Sequence, residues 1–398
     1  MSLNQRDAPF QMTATTQFGL EKILAEELSL LGAVIDKIGS RAVEFTGNKQ
    51  LLYEATLWCR TAMRILKPFT SFYAKDEKDL YRQVGRIDWQ KYIGSDQTFA
   101  ITSVVNRSTF EHSLFVAQLT KDAIVDQFRD RTGKRPNVDV QQPDISLHLH
   151  MLDNEVTLSL DAAGTSLHRR GYRTQFHAAS INEVLAAGLL LLTGWDGRKP
   201  LIDLMCGSGT LLTEAALIAQ RIAPGLYHPH KFSFENWPDF DRALWESLKI
   251  DANSARLDEP QAYISGSDIS PEAVEMARQN VAAANLDDYV RLSVGDVRNA
   301  KAPAGEAGIV LMNPPYGERV GQEAEMAALY QAIGDTLKTS FQGFDAYLFT
   351  GNLTAAKSVG LKTSRKIPMY NGPIDCRLLK YELYQGSRRS TSSKIVDE

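Results

Sequence analysis

Cysteine is scarce: Cys59, Cys206 and Cys376 are spread over 398 residues. An odd number at such spacing makes neither a disulfide framework nor a zinc-ligand set. Long apolar runs are missing too. The longest candidate, Val184 to Trp195, is too short and too interrupted to span a bilayer. The N-terminal residues show no basic-then-apolar signal pattern, so the expected location is the cytoplasm, away from membranes. An excess of positive charge is also lacking. A net charge of −4 argues against a uniformly basic coat for nucleic acid but leaves room for a local patch. Histidines occur as His148/His150, on one face of a strand pattern, and as His228/His230 in a loop-like stretch. Neither pair has a cysteine or a third ligand beside it, so no metal site is expected.

What is present is an ordinary globular composition, 43% apolar and 23% charged, at a length that allows two or three domains. One stretch organises the chain: Ile309-Val310-Leu311-Met312-Asn313-Pro314-Pro315-Tyr316-Gly317. The apolar part reads as a short buried strand. The two prolines stop it, because they donate no ladder hydrogen bond and fix φ. Asn313 is thereby placed at the carboxyl end of a strand, where open α/β sheets bind ligands. Its carbonyl accepts hydrogen bonds, and the Tyr316 ring offers a flat face. Together they suit an exocyclic amino group and its ring, although a plain proline-rich turn reads the same from this stretch alone.

The N-terminal half reads as two small α+β units. Phe18, Leu20, Ile23, Leu24 and Leu28 recur at helical spacing, and Gly32 ends that helix. Val34-Ile35 and Ala42–Phe45 read as strands, with a helix over about residues 49–62. In the second unit a helix near Leu80–Ile87, a strand Phe99–Val105 and a long helix from Ser113 to Arg131 precede a hairpin. There Ile145, Leu147, Leu149 and Met151 alternate with polar residues, Asp153-Asn154 turns the chain, and Val156, Leu158 and Leu160 return it. The densest basic-aromatic cluster follows: His168, Arg169, Arg170, Tyr172 and Arg173. A charged linker would look the same, but the cluster is read as a source of cations for a bound polymer.

From Asn182 the rhythm becomes β-α-β. Strand Leu201–Met205 runs into Cys206-Gly207-Ser208-Gly209-Thr210 and then a helix through Leu211, Leu212, Ala215 and Ile218. The glycines allow a tight turn and close approach to a ligand. The third glycine of the dinucleotide fingerprint is Leu212 here, so a nicotinamide cofactor is not the natural ligand. An aromatic-rich insertion, residues 224–260, is expected to pack onto its own domain rather than stack on bases. A second strand, Tyr263–Asp268, ends in a carboxylate able to bind both hydroxyls of a ribose. Ser270 caps the next helix and Pro271 opens it, which leaves Asp268 to a ligand. A third strand, Val290–Val294, leads to Asp296, placed to accept from an adenine amino group. A helix over 325–337, a strand Ala346–Thr350 and a basic hairpin carrying Arg365 and Lys366 follow. The tail from Gly386 is polar and is expected to be disordered.

The C-terminal half resembles a class I S-adenosylmethionine-dependent methyltransferase. Asp203–Thr210 looks like its first motif, Asp268 its ribose acid, Asp296 its adenine-side acid and Asn313-Pro314-Pro315-Tyr316 its amino-methylating motif. More particularly, the chain resembles the bacterial THUMP-domain methyltransferases of large-subunit ribosomal RNA, the RlmL-like family. Leu167–Arg173, Glu214–Ala219, Ile222–Gly225, Phe234–Trp237 and Asn371–Ile374 carry that likeness. That family is often labelled adenine-specific DNA methylase because of Asn-Pro-Pro-Tyr.

The resemblance implies an α/β fold: a Rossmann-like domain at 179–386, with a mostly parallel seven-stranded sheet and a C-terminal antiparallel hairpin. A ferredoxin-like piece at 1–65, a THUMP domain at 66–163 and a basic linker at 164–178 precede it, and a disordered tail at 387–398 follows. S-adenosylmethionine is the implied cofactor, held by Asp203, Cys206, Gly207, Ser208, Gly209, Thr210, Asp268, Ile269, Asp296, Val297 and Asn313. Asn313, Pro314, Pro315 and Tyr316 are the implied catalytic residues. His168, Arg169, Arg170, Tyr172, Arg173, Arg365 and Lys366 are the implied RNA contacts. The implied reaction is methylation of a guanine N2 in 23S rRNA, with the base flipped out. Some members carry a second methyltransferase domain downstream; for this chain only the first activity is expected. Alternatives are a tRNA guanine-N2 methyltransferase, a DNA N6-adenine methyltransferase and, last, a non-catalytic RNA-binding assembly factor.

Overall fold

A computed structural model describes residues 8–173, 181–317 and 323–384. In chain order the elements are β1 (Phe10–Thr15), α1 (Glu21–Leu30), β2 (Val34–Gly39), β3 (Ala42–Gly47), α2 (Lys49–Trp58), β4 (Arg64–Tyr73), α3 (Glu77–Arg86), β5 (Phe99–Asn106), α4 (Ser113–Thr132), β6 (Ile145–Leu152) and β7 (Glu155–Asp161). Then come α5 (Glu183–Leu192), β8 (Leu201–Asp203), α6 (Thr210–Ala219), α7 (Arg242–Ser254), β9 (Ile264–Asp268), α8 (Pro271–Ala283), β10 (Val290–Val294), β11 (Ile309–Met312), α9 (Glu323–Ser340), β12 (Asp345–Thr350), β13 (Thr363–Asn371) and β14 (Ile374–Glu382). The described residues form two compact units. One runs to Gly171 and includes Arg221–Arg256; the other holds Tyr172–Gln220 and the chain from Leu257.

The first unit contains one sheet in the order β2-β3-β1-β4-β7-β6-β5. The two small modules read from the sequence are therefore joined edge to edge. The joint is β4, which pairs antiparallel with β1 through Thr13↔Leu66 and with β7 through Phe72↔Val156. Its pattern hides it, because Lys67-Pro68 interrupts the apolar alternation. Pro68 is tolerated where the register slips between Pro68 and Thr70, since a bulge needs no donor there. The expected hairpin is β6–β7, with Asp153 and Asn154 both at positive φ in its turn.

The aromatic insertion packs differently from the expectation. Phe232, Phe234, Trp237 and Trp245 are buried in the core of the first unit. Phe234 stacks on Tyr53 of α2 with ring centroids 4.3 Å apart. The insertion thus completes the N-terminal core instead of decorating the unit its flanking residues belong to. Apolar rings gain the same burial on either body, so composition alone does not choose between them.

The second unit has the sheet order β10-β9-β8-β11-β12-β14-β13. β10, β9, β8, β11 and β12 are parallel, whereas β14 is antiparallel to β12 and β13 antiparallel to β14. This is the mostly parallel sheet with a terminal antiparallel hairpin that the family resemblance implies. Its central strands, β8 and β11, are buried, as strands covered on both faces must be. Strand order reverses between β8 and β11, which start in register with Ile309 opposite Leu201. Ligands settle in the crevice at such a reversal. The tail expected to be disordered lies outside the described residues.

Candidate active site

Asp203 closes β8, and the chain turns at once through Leu204–Gly209 into α6. Gly209 has φ +78°, and a Cβ there would lie 2.9 Å from the Cβ of Ala277 on α8. Any side chain would both strain the backbone and separate the two helices. No side chain caps the start of α6, so its first amides keep their hydrogen-bonding capacity. The Thr210 hydroxyl, on a residue 4% exposed, has no partner among the described residues.

Asp268 closes the adjacent β9. Its Oδ2 accepts from the Gly207 amide and its Oδ1 from the Ser270 amide, each at 3.0 Å. Ser270 caps α8 by accepting from Ala273 N at 3.2 Å, as its sequence position predicts. The carboxylate therefore fastens the glycine turn to β9 and still carries lone pairs for a ligand. Asp203 is 2% exposed, and its Oδ1 accepts only from Met205 N, at 3.1 Å, among the hydrogen bonds described. Burial pushes its pKa up to about 8; the Met205 bond opposes the rise and the Asp268 charge adds to it. Near neutral pH Asp203 holds a proton and has a donor to offer.

Asn313 follows the last residue of β11. The Tyr316 hydroxyl donates to Asn313 Oδ1 at 2.7 Å. Burial raises the Tyr316 phenol well above its ordinary range, so it is a neutral donor. The loop is tied down behind: Asn352 Nδ2 donates to Tyr316 O at 2.8 Å, and Tyr330 Oη to Pro315 O at 3.4 Å.

These parts line one cavity of about 920 Å³. Asp203, Cys206–Ser208, Thr210, Asp268 and Ile269 form one part of its wall, and Asn313–Gly317 another. The volume is ample for a nucleoside-sized donor together with a base. Three expected members stand outside that lining: Gly209, which packs against α8, Asp296 and Val297. Asp296 Oδ1 accepts from Arg298 N at 2.9 Å, and Val297 is buried in the apolar core. Asp296 does sit beside the site, since Gly295 N donates to Asp268 O at 3.0 Å. Sequence reasoning missed Ile181, Met326 and the Asn371–Ile374 turn, which also line the cavity. Sharing a cavity with β11 depends on sheet order, which no local pattern reveals.

The basic cluster is corrected in part. Arg170 is 2% exposed and donates to Leu167 O at 2.7 Å and Arg60 O at 2.5 Å. Tyr172 is 1% exposed, and its hydroxyl donates to Glu214 Oε1 at 2.8 Å. Arg173, with its side chain 8% exposed, pairs with Glu183 at 3.5 Å and donates to Ile181 O at 3.3 Å. These three side chains are spent on the interior and present no cationic face to a polymer. Arg169 is exposed and His168 half-exposed; Arg365 and Lys366 are exposed on β13, a sheet edge. Among the described residues no helix is long and apolar enough to cross a membrane, and no cluster of metal ligands occurs.

Comparison with known proteins agrees with this geometry. Residues 170–380 match the RMKL-like methyltransferase domain, 74–161 the THUMP domain and 11–66 the RlmL ferredoxin-like domain. A protein of Synechocystis sp., provisionally named an RNA methyltransferase, is 43% identical over 93% of this chain and 96% of its own length. The ribosomal RNA large subunit methyltransferase K/L of Syntrophotalea carbinolica is 40% identical over 95% of this chain and 54% of its own. The chain thus spans about half the length of the K/L relatives it matches. The crystal structure of SMU.472, provisionally called a methyltransferase, complexed with SAH, superposes with a TM-score of 0.84 at 30% identity, covering 95% of this chain and 99% of that one. The chain belongs to the RMKL-like methyltransferase family.

Proposed function

We propose that this chain transfers a methyl group from S-adenosylmethionine to the exocyclic N2 of a guanine in 23S rRNA, acting in the cytoplasm. One observation carries the reading: Gly207, Ser208 and Thr210 of the glycine turn, Asp268 and Asn313 line a single cavity. The residues suit the donor. The Asp268 carboxylate, in the cavity wall beside the glycine turn, suits the ribose hydroxyls. The unpartnered Thr210 hydroxyl and the start of α6 suit the polar end of the amino-acid portion. Bound there, the donor supplies a sulfonium methyl, whose C–S bond breaks as the amine lone pair forms the new N–C bond and the electron pair stays on sulfur.

The chain contributes positioning. A guanine amine is a poor nucleophile because its lone pair is conjugated into the ring. Asn313 Oδ1 and the Pro314 carbonyl accept its two N–H bonds and favour the pyramidal geometry of attack. The amide oxygen has two lone pairs, and Tyr316 occupies one. The product ammonium proton is acidic and passes to water without a strong base. Extruding the base costs a few kcal/mol, and stacking on the Tyr316 ring at about 1–3 kcal/mol offsets much of that.

RNA as the substrate class is supported by the THUMP match and by relatives named for ribosomal RNA. Asn-Pro-Pro-Tyr by itself suits adenine amines in DNA as well. The purified protein, given donor labelled in its methyl group together with 23S rRNA, tRNA or duplex DNA, is expected to label 23S rRNA. Label in DNA or tRNA alone overturns the reading.

A further inference from the structure

α8 buries one polar side chain among apolar ones. Ala273, Val274, Ala277 and Val281 are its apolar buried residues, and Asn280 is buried with them, fully out of solvent. A buried amide is costly unless it is hydrogen-bonded. Asn280 Nδ2 donates to Ser208 O at 3.0 Å, in the glycine turn that follows β8. The spacing of Ala273, Ala277 and Asn280 puts all three on one face of the helix. Ala273 lines the cavity, Ala277 abuts Gly209, and Asn280 holds Ser208. That face of α8 is the bed on which the turn lies.

The turn needs such support. Gly207 has φ +51° and Gly209 φ +78°, and glycine resists rotation of the adjoining peptides less than any other residue. Its shape is therefore imposed by its bonds to neighbouring elements. At one end Asp268 Oδ2, on β9, accepts from Gly207 N at 3.0 Å. At the other end the peptide unit joining Ser208 to Gly209 is gripped on both sides. Ser208 O accepts from Asn280, and Gly209 N donates to Cys206 O at 2.8 Å. A peptide unit is planar, with its carbonyl and amide pointing opposite ways, so the two bonds select one orientation. The chain passes from this unit straight into Thr210, which lines the cavity at the start of α6.

We propose that Asn280 is a positioning residue for the methyl donor. It draws the Ser208 carbonyl onto α8 and thereby sets Thr210 and the first turn of α6 in the cavity wall. Asn280 touches no ligand and acts through the turn. The inference rests on the glycine turn being part of the donor site.

The test compares four variants of the full chain with wild type, each measured well below its melting temperature. Asn280→Leu fills the space without a donor, and Asn280→Ala covers the case in which the leucine variant does not fold. Val281→Ala, also on α8 and buried, loosens the helix core without touching the turn. Asp268→Ala tests the donor site itself. In the Asn280 variants SAH affinity, measured calorimetrically, is expected to fall about tenfold, the scale of one restraining hydrogen bond. KM for S-adenosylmethionine should rise by the same factor, while kcat at saturating donor stays within about threefold, the pattern of lost donor binding. Val281→Ala should melt earlier and keep SAH affinity within about twofold of wild type. Asn280 variants that bind SAH as wild type does, while Asp268→Ala does not, overturn the inference and leave the donor site standing. An equal loss of affinity in Val281→Ala overturns it too, because general loosening then explains the effect. Unchanged SAH binding in the Asn280 variants and Asp268→Ala alike overturns the donor-site reading and the inference with it.

Discussion

The Tyr316 hydroxyl donates to Asn313 Oδ1 across 2.7 Å, within a loop of two prolines. In the proposed transfer the bond fixes which end of the Asn313 amide meets the acceptor amine, because the oxygen must face both. Replacing Tyr316 with Phe keeps the ring and removes that restraint. The expected result is a fall in kcat of about tenfold with unchanged SAH affinity, the scale of one lost hydrogen bond. Asn313→Ala should lose transfer almost entirely and still bind SAH. Single-turnover kinetics paired with calorimetry separates these outcomes, and equal loss of binding and transfer in Asn313→Ala contradicts its role.

Asp268 has a second duty that the sequence does not announce. It holds the Gly207 and Ser270 amides. Asp268→Ala removes the proposed ribose acceptor and loosens the glycine turn together. Donor affinity is expected to drop by more than tenfold, with a smaller change in RNA affinity. Unchanged SAH binding would exclude it from the donor site.

Asp203 supplies a pH signature. Its folded pKa of about 8 lies above the unfolded carboxylate value of 3.8. The stability gained from holding that proton is fully present below pH 3.8 and is lost as pH rises through about 8. Asp203→Asn has no proton to lose. Wild type should therefore lose stability relative to Asp203→Asn between pH 5 and pH 8, with a slope of at most about 1.4 kcal/mol per pH unit. Parallel melting curves at several pH values check this, and a constant difference contradicts it.

The divided basic cluster predicts divided phenotypes. Arg173→Ala breaks a buried ion pair and should cost about 3–5 kcal/mol of stability. Arg169→Ala and Arg365→Ala should leave stability within about 0.5 kcal/mol, weaken RNA binding and lower its salt dependence by about one counterion each. Denaturant melts and RNA titrations at several salt concentrations distinguish them. A normal melt for Arg173→Ala, or an unchanged salt slope for Arg169→Ala, contradicts the division.

Residues whose role follows from local chemistry are legible in the amino-acid order itself. Asn313 at a strand end, Ser270 as a cap, the Gly207–Gly209 turn and the β6–β7 hairpin all announce themselves within a few positions. What stays hidden depends on distant neighbours. β4 is masked by Pro68 and recognisable only from the strands on either side. Arg170 and Tyr172 look like a polymer-binding face until Arg60 and Glu214 are placed beside them. Asn371 belongs to the cavity only because β12, β14 and β13 are ordered as they are.

The central claim is the identity of the methylated atom. We would take 23S rRNA from a strain lacking this protein, incubate it with the purified chain and methyl-labelled donor, digest it to nucleosides and analyse it by mass spectrometry. The expected product is labelled N2-methylguanosine at a single position, absent when Asn313→Ala replaces the wild type. Label in N6-methyladenosine, or none in 23S rRNA under conditions where the protein binds SAH, would contradict the account.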